Sequence, residues 1–155
     1  MSPAWKAIPP KDDEGYLDVM SRAIFTAGLN WNMVEKKWPD FRKAFQEFSP
    51  EKVASLTERD VRALMQNPGI VRNEKKIRAT VENAKSIIAI EKDFGSIKEY
   101  ISSFGRGEDR LQKDIQEKFK HVGPSTARMF LWEVGYKLTP TKEEKMWMKG
   151  HHEFD

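Results

Sequence analysis

Between two stretches of helical periodicity, residues 119–127 read F-K-H-V-G-P-S-T-A, a connection too short to be anything but a tight corner. Gly123 allows a backbone angle that other residues resist, so the corner is expected to turn on it. Pro124 fixes φ and lacks an N–H, which suits the first position of a new helix. Ser125 and Thr126 add hydroxyls at that start. Amides at a helix start point outward without intrahelical partners and carry partial positive charge, and a phosphate fits such a seat. Lys118, Lys120, His121 and Arg128 put further positive charge around it. Two readings follow: an ordinary corner between helices, or a corner that grips a phosphate backbone.

The rest of the chain is punctuated in the same way. Tyr16, Leu17, Met20, Ala23, Ile24 and Ala27 form an apolar stripe at helical spacing that Gly28 ends. A second helix is expected from Trp31 to Trp38, and Pro39 is expected to open a third carrying Phe41, Ala44, Phe45 and Phe48. Ser49-Pro50-Glu51 marks the start of a short helix through Leu56. Thr57 with Asp60, Ser96 with Glu99 and Thr141 with Glu144 have the spacing of capping boxes. The longest periodic run spans Asn73 to about Lys92, with Ile77, Val81, Ala84, Ile88 and also Ile87 as inward candidates; Asp109–Phe119 and Ser125–Val134 flank the corner. No strand pattern and no internal repeat is present. The expectation is an all-α fold whose sites lie at helix ends and in clefts between helices. Residues 16–138 are expected to form the helical domain, with residues 1–15 an N-terminal extension and residues 139–155 a short helix and tail.

Composition narrows the chemistry. With no cysteine among its 155 residues, the chain has neither disulfides, nor thiolate-bound zinc or iron–sulfur, nor a cysteine nucleophile. A net charge of +3 is a mild basic bias, compatible with nucleic acid. No apolar run is long enough to cross a bilayer. A monomeric protein of the cytoplasm, associated with the nucleoid, is expected.

Two further clusters carry chemistry. In Ala27-Gly28-Leu29-Asn30-Trp31 a tryptophan stands just past a glycine turn, where its π-face can stack on a planar, cationic ligand or anchor the next helix in the core. In residues 69–77, G-I-V-R-N-E-K-K-I, a turn feeds a helix start rich in cations. Arg72 and Lys76 can meet phosphates, support a cleft or remain a solvated surface, and Asn73 can cap the helix.

Taken in order, A-G-L-N-W, F-R-K-A-F-Q-E-F-S-P-E-K-V-A, G-I-V-R-N-E-K-K-I-R-A with Asn83-Ala84, and F-K-H-V-G-P-S-T resemble the DNA-3-methyladenine glycosylase I family of helix-hairpin-helix glycosylases over roughly Tyr16–Tyr136. The resemblance implies a base-excision repair enzyme, without cofactor, acting on double-stranded DNA that carries an alkylated base. N3-methylation makes adenine cationic and a good leaving group, and the enzyme everts the nucleotide into a pocket. Trp31, Asn30 and Ala23 fall at the base-binding positions. Lys120, His121, Gly123, Ser125, Thr126, Arg72 and Lys76 fall at the DNA-binding ones.

The chain also departs from that pattern. The family's base-contacting glutamate lies six residues before the leucine of its A-G-L-S-W, and that position here is Ala23. The family's zinc needs two Cys and two His; the chain has no cysteine, and His151-His152 are too few to rebuild a site. Only Trp5 stands in for the family's early tryptophan. The stretch 135–140 holds no acid, and no lysine follows the corner before Lys137, so a Schiff-base lyase is disfavoured. Glu133 and Asp18 are the candidate replacement carboxylates, with Glu14 a further one. Glu133 lies on a largely apolar helix, where it is either a buried carboxylate with a raised pKa and a role at the base or, as expected because most glutamates are exposed, a residue of the helix's exposed face. Two functions remain open: a monofunctional glycosylase, or a catalytically reduced protein of the same fold that recognises damaged or bent DNA. A helical interaction protein is a third, weaker reading.

Overall fold

The computed structural model describes residues 8–151. Nine helices are present among them: α1 (Asp13–Thr26), α2 (Trp31–Ala44), α3 (Pro50–Ala54), α4 (Glu58–Leu64), α5 (Glu74–Phe94), α6 (Ile97–Ser102), α7 (Glu108–Lys118), α8 (Pro124–Glu133) and α9 (Lys142–His151). No strand occurs among the described residues. None of these helices is long and apolar enough to cross a membrane. Trp5 and His152 lie outside the described residues.

The central element is α1. Asp12 caps it through a 3.0 Å bond from the Gly15 amide, and Tyr16, Leu17, Met20, Ala23, Ile24 and Phe25 are all buried. It packs on α2, α3, α5, α6 and α8, as a helix apolar on most of its faces must. The caps expected from the sequence at other helix starts are in place. The Thr57 and Asp60 box closes in both directions, and Asn73, Ser96 and Thr141 each accept an amide three residues on. On α5 it is Ile87, 1% exposed, that faces the core, with Ile88 half-buried beside it.

The expected break at Pro39 is absent: α2 continues through it to Ala44. Pro39 is exposed, so water can reach the Glu35 carbonyl that loses its helical donor there. The reversal comes later, at Gln46, Glu47 and Phe48, whose φ values of 56°, 55° and 56° form a left-handed turn. Such a turn costs on the order of 1–2 kcal/mol per residue. It swings Phe48 into full burial, stacked 5.4 Å from Trp38 and 5.6 Å from Phe45, which offsets about 2–3 kcal/mol.

Candidate nucleic-acid interface and base site

The Trp31 turn begins where α1 ends. Gly28, at φ +77°, reverses the chain, and open space surrounds the place a Cβ would occupy, so conformation rather than crowding favours glycine. The carbonyls freed at this end are held by Lys76 of α5, whose Nζ donates to Ala27 O at 2.9 Å and Phe25 O at 3.5 Å. Lys76 is therefore no surface cation. It is 7% exposed, burial lowers its pKa, and it caps the negative end of α1. Of the roles open to it, support of the cleft is the one the geometry allows, and contact with phosphate is not. Asn30 is likewise engaged: its Oδ1 accepts the Met33 amide at 3.1 Å and caps α2, which takes that oxygen away from a base. Trp31 opens α2, half-buried.

Seven residues beyond Lys76, Asn83 grips the corner. Its Oδ1 accepts the Lys120 amide at 2.7 Å and its Nδ2 donates to Lys120 O at 3.2 Å. Ser86 adds a 2.7 Å bond to Lys118 O. Asn83 is 1% exposed. The sequence assigned no role to it or to Ser86. The available signal was a polar side chain on the inward face of α5, among Ile77, Val81 and Ala84. A spacing of seven returns to the same helix face and rises about 10 Å. From one of its faces α5 thus braces both the end of α1 that leads to Trp31 and the corner.

The corner itself differs from expectation at its hinge. Gly123 has φ −94° and ψ −172°, an extended conformation open to any residue, and the left-handed residue is His121 at φ 61°. What Gly123 contributes is bareness: nothing lies within 4 Å of the place a Cβ would take, so another backbone can approach closely. Val122 is buried beneath, while Lys120, His121, Gly123, Pro124 and Ser125 are exposed and Thr126 is partly so. No side chain caps α8, unlike α1 to α6. Its first amides are thus open to an anion. Arg72, also exposed, lies just before the Asn73 cap of α5.

The two candidate carboxylates part company. Asp18 accepts the Trp38 indole N–H at 3.0 Å and lies 3.7 Å from Arg42. Its pKa is raised by burial, with Arg22, Trp38 and Arg42 opposing. It fastens α1 to the aromatic stack of α2. Glu133 overturns the expectation of an exposed face. It is 2% exposed, because α8 lays this end against α1. Arg22 approaches its Oε2 to 3.6 Å, neither of its oxygens has a hydrogen-bond partner, and burial raises its pKa to about 7 against the pull of Arg22. Ala23, 1% exposed, offers only its methyl beside them. Glu14 is exposed at the far end of α1.

A separate cleft of about 490 Å³ lies between α7, α8 and the strand of chain leading to α9, lined by Arg106, Arg110 and Arg128 with Glu108 and Asp109. Arg128 is tied there to Glu144 at 2.7 Å and Glu108 at 3.8 Å, so it braces α9 rather than the corner. The zinc that the resemblance attaches to the family does not fit: two thiolates are required and the chain has no cysteine.

A buried central helix, a tryptophan just past its end and a bare, uncapped corner clamped from α5 define a helix-hairpin-helix domain of the DNA glycosylase class. Residues 3–129 match the model of the methyladenine glycosylase family. The chain is 33% identical over 148 residues to DNA-3-methyladenine glycosylase 1 of Escherichia coli, covering 83% of this chain and 79% of that protein. It is 44% identical over 78 residues to DNA-3-methyladenine glycosylase of Haemophilus influenzae, which covers 50% of this chain and 42% of that one. The solved structure of 3-methyladenine DNA glycosylase I from Staphylococcus aureus, described as the basis of 3-methyladenine recognition, superposes with a TM-score of 0.76 at 30% identity, covering 85% of this chain and 81% of that one. The chain belongs to the methyladenine glycosylase family.

Proposed function

We propose that the protein is a monofunctional DNA glycosylase that removes a cationic alkylated purine such as 3-methyladenine from double-stranded DNA, acting as a monomer on the chromosome in the cytoplasm. The observation that carries this reading is the common anchoring of the Trp31 turn and the corner on α5, through Lys76 and Asn83. The open amides of α8, with Lys120, Ser125 and Thr126, hold one strand by its phosphates. This contact is independent of sequence and weakens steeply with salt. Arg72 adds a phosphate contact, and His121 shapes the corner.

The everted base stacks on Trp31, where cation–π attraction is worth on the order of 1–2 kcal/mol once water is excluded. The C1′–N9 bond then breaks and its electron pair neutralises the purine, so the base departs as neutral 3-methyladenine. Water forms the new bond to C1′ and gives up a proton. Such a leaving group needs no acid. The absence of a lysine between Pro124 and Tyr136 fits release without strand cleavage.

The test is chromatographic detection of free base from a duplex alkylated with a methylating agent. Release of 3-methyladenine, with strands intact until the abasic sites are cleaved by alkali, supports the reading. Salt-sensitive binding to the duplex without release overturns it in favour of a catalytically reduced DNA-binding protein. The change at Ala23 is the observation that favours that second reading.

A further inference from the structure

We propose that Glu133, set against Arg22, is the acidic acceptor that reads the everted base in this chain, working from α8 where position 23 of α1 has no polar side chain. This rests on the reading just given. A carboxylate has about four acceptor positions, and buried ones in native proteins are almost always filled. Glu133 is 2% exposed and none of its acceptor positions is filled. A pair built for stability would close to a hydrogen-bonded fork below about 3 Å. At 3.6 Å, Arg22 steadies the charge and leaves the lone pairs available. Ser21, next along α1, is a second buried polar group whose Oγ has no partner.

The pair also sits at the second half of α1, the helix that runs into the Trp31 turn. Arg22 lies one turn before the end of α1, where its carbonyl accepts the Thr26 hydroxyl at 2.7 Å, and five residues after Thr26 the chain reaches Trp31. The other acid beside Arg22, Asp18, is already engaged by Trp38 and Arg42. An unfilled anionic acceptor suits a purine that presents an exocyclic amine and a delocalised positive charge. It discriminates against ordinary adenine, which lacks the charge.

The experiment compares the wild type, Glu133→Gln, and Glu133→Gln combined with Ala23→Glu, each confirmed folded by thermal unfolding. Single-turnover release from methylated duplex and affinity for free 3-methyladenine are measured in parallel. Glu133→Gln is expected to slow release about 100-fold and weaken free-base binding about tenfold, with duplex affinity within twofold of the wild type. Adding Ala23→Glu is expected to recover at least tenfold of the rate, which a purely structural role of Glu133 would not produce. Release by Glu133→Gln within threefold of the wild type overturns the assignment. Should the wild type release no base, the functional reading falls, and the binding arm decides by itself. Loss of free-base affinity in Glu133→Gln then still supports the acceptor, whereas equal affinity, or none in either protein, overturns it.

Discussion

Lys76 and Asn83 stand seven residues apart on one face of α5 and grip opposite parts of the site, Lys76 the carbonyls at the end of α1 and Asn83 both backbone groups of Lys120. Neither side chain is exposed, so both act through what they hold. Asn83→Ala removes two hydrogen bonds and leaves backbone groups buried, a loss of about 2 kcal/mol. Chemical denaturation should show it, along with weaker duplex binding as the corner loosens.

Lys76→Met separates support from phosphate contact. It should lower stability by about 1–2 kcal/mol, the loss of a helix cap, and reduce base release. The slope of log affinity against log salt should stay at the wild-type value, because no phosphate contact is lost. Lys120→Gln should instead flatten that slope by about one unit and leave stability nearly unchanged. Affinity measured across a salt series reads both outcomes.

Asp18 should matter for folding alone. Asp18→Ala strands the buried Trp38 indole N–H and should cost about 1–3 kcal/mol, while Asp18→Asn keeps an acceptor and should cost less. In both, the single-turnover rate of base release at a temperature where the protein is folded should equal that of the wild type. A rate loss that follows the acid rather than the stability would return Asp18 to the reaction.

Glu133 makes stability depend on pH with a definite sign. Its folded pKa, about 7, lies above the ordinary glutamate value of 4.5, mainly through burial. The folded state therefore holds more protons than the unfolded one between these values. Stability is highest below about pH 4.5 for this group and is lost as pH rises toward 7, by about 3 kcal/mol. Glu91, raised to about 7 chiefly by its hydrogen bond to Asp13, adds a slope of the same sign. Denaturation midpoints across pH 4–8 should thus flatten in Glu133→Gln, and the Glu91 part of the slope should remain.

Much of the fold was legible because the punctuation is local. Asn73, Thr57 and Ser96 cap helices using only their own neighbours, so their spacing alone identifies them. Pro39 misled because its cost depends on which side of α2 meets water, and that is set by packing. The turn at Gln46–Phe48 could not be foreseen. Three left-handed residues in succession, none of them glycine, form there as Phe48 is buried against Trp38 and Phe45, residues outside the turn. The site shows the same division. The corner and Trp31 were visible as motifs, whereas Lys76 and Asn83 act at separations of 49 and 37 residues. For Glu133 the sequence of α8 left burial and exposure both open, and the docking of α8 on α1 decides for burial.

If the Trp31 turn and the corner serve one everted nucleobase, the DNA strand and the base should be felt at two different places on the protein. NMR of isotope-labelled protein, titrated first with a duplex bearing a single abasic-site analogue and then with free 3-methyladenine, separates the two. The duplex should shift the amides of Lys120 to Thr126, and the base, added to that complex, should shift the Trp31 indole N–H and residues 27–33. Shifts from the base confined to the arginine-lined cleft beside α7, with Trp31 unmoved, would mean that the base binds elsewhere than at the Trp31 turn.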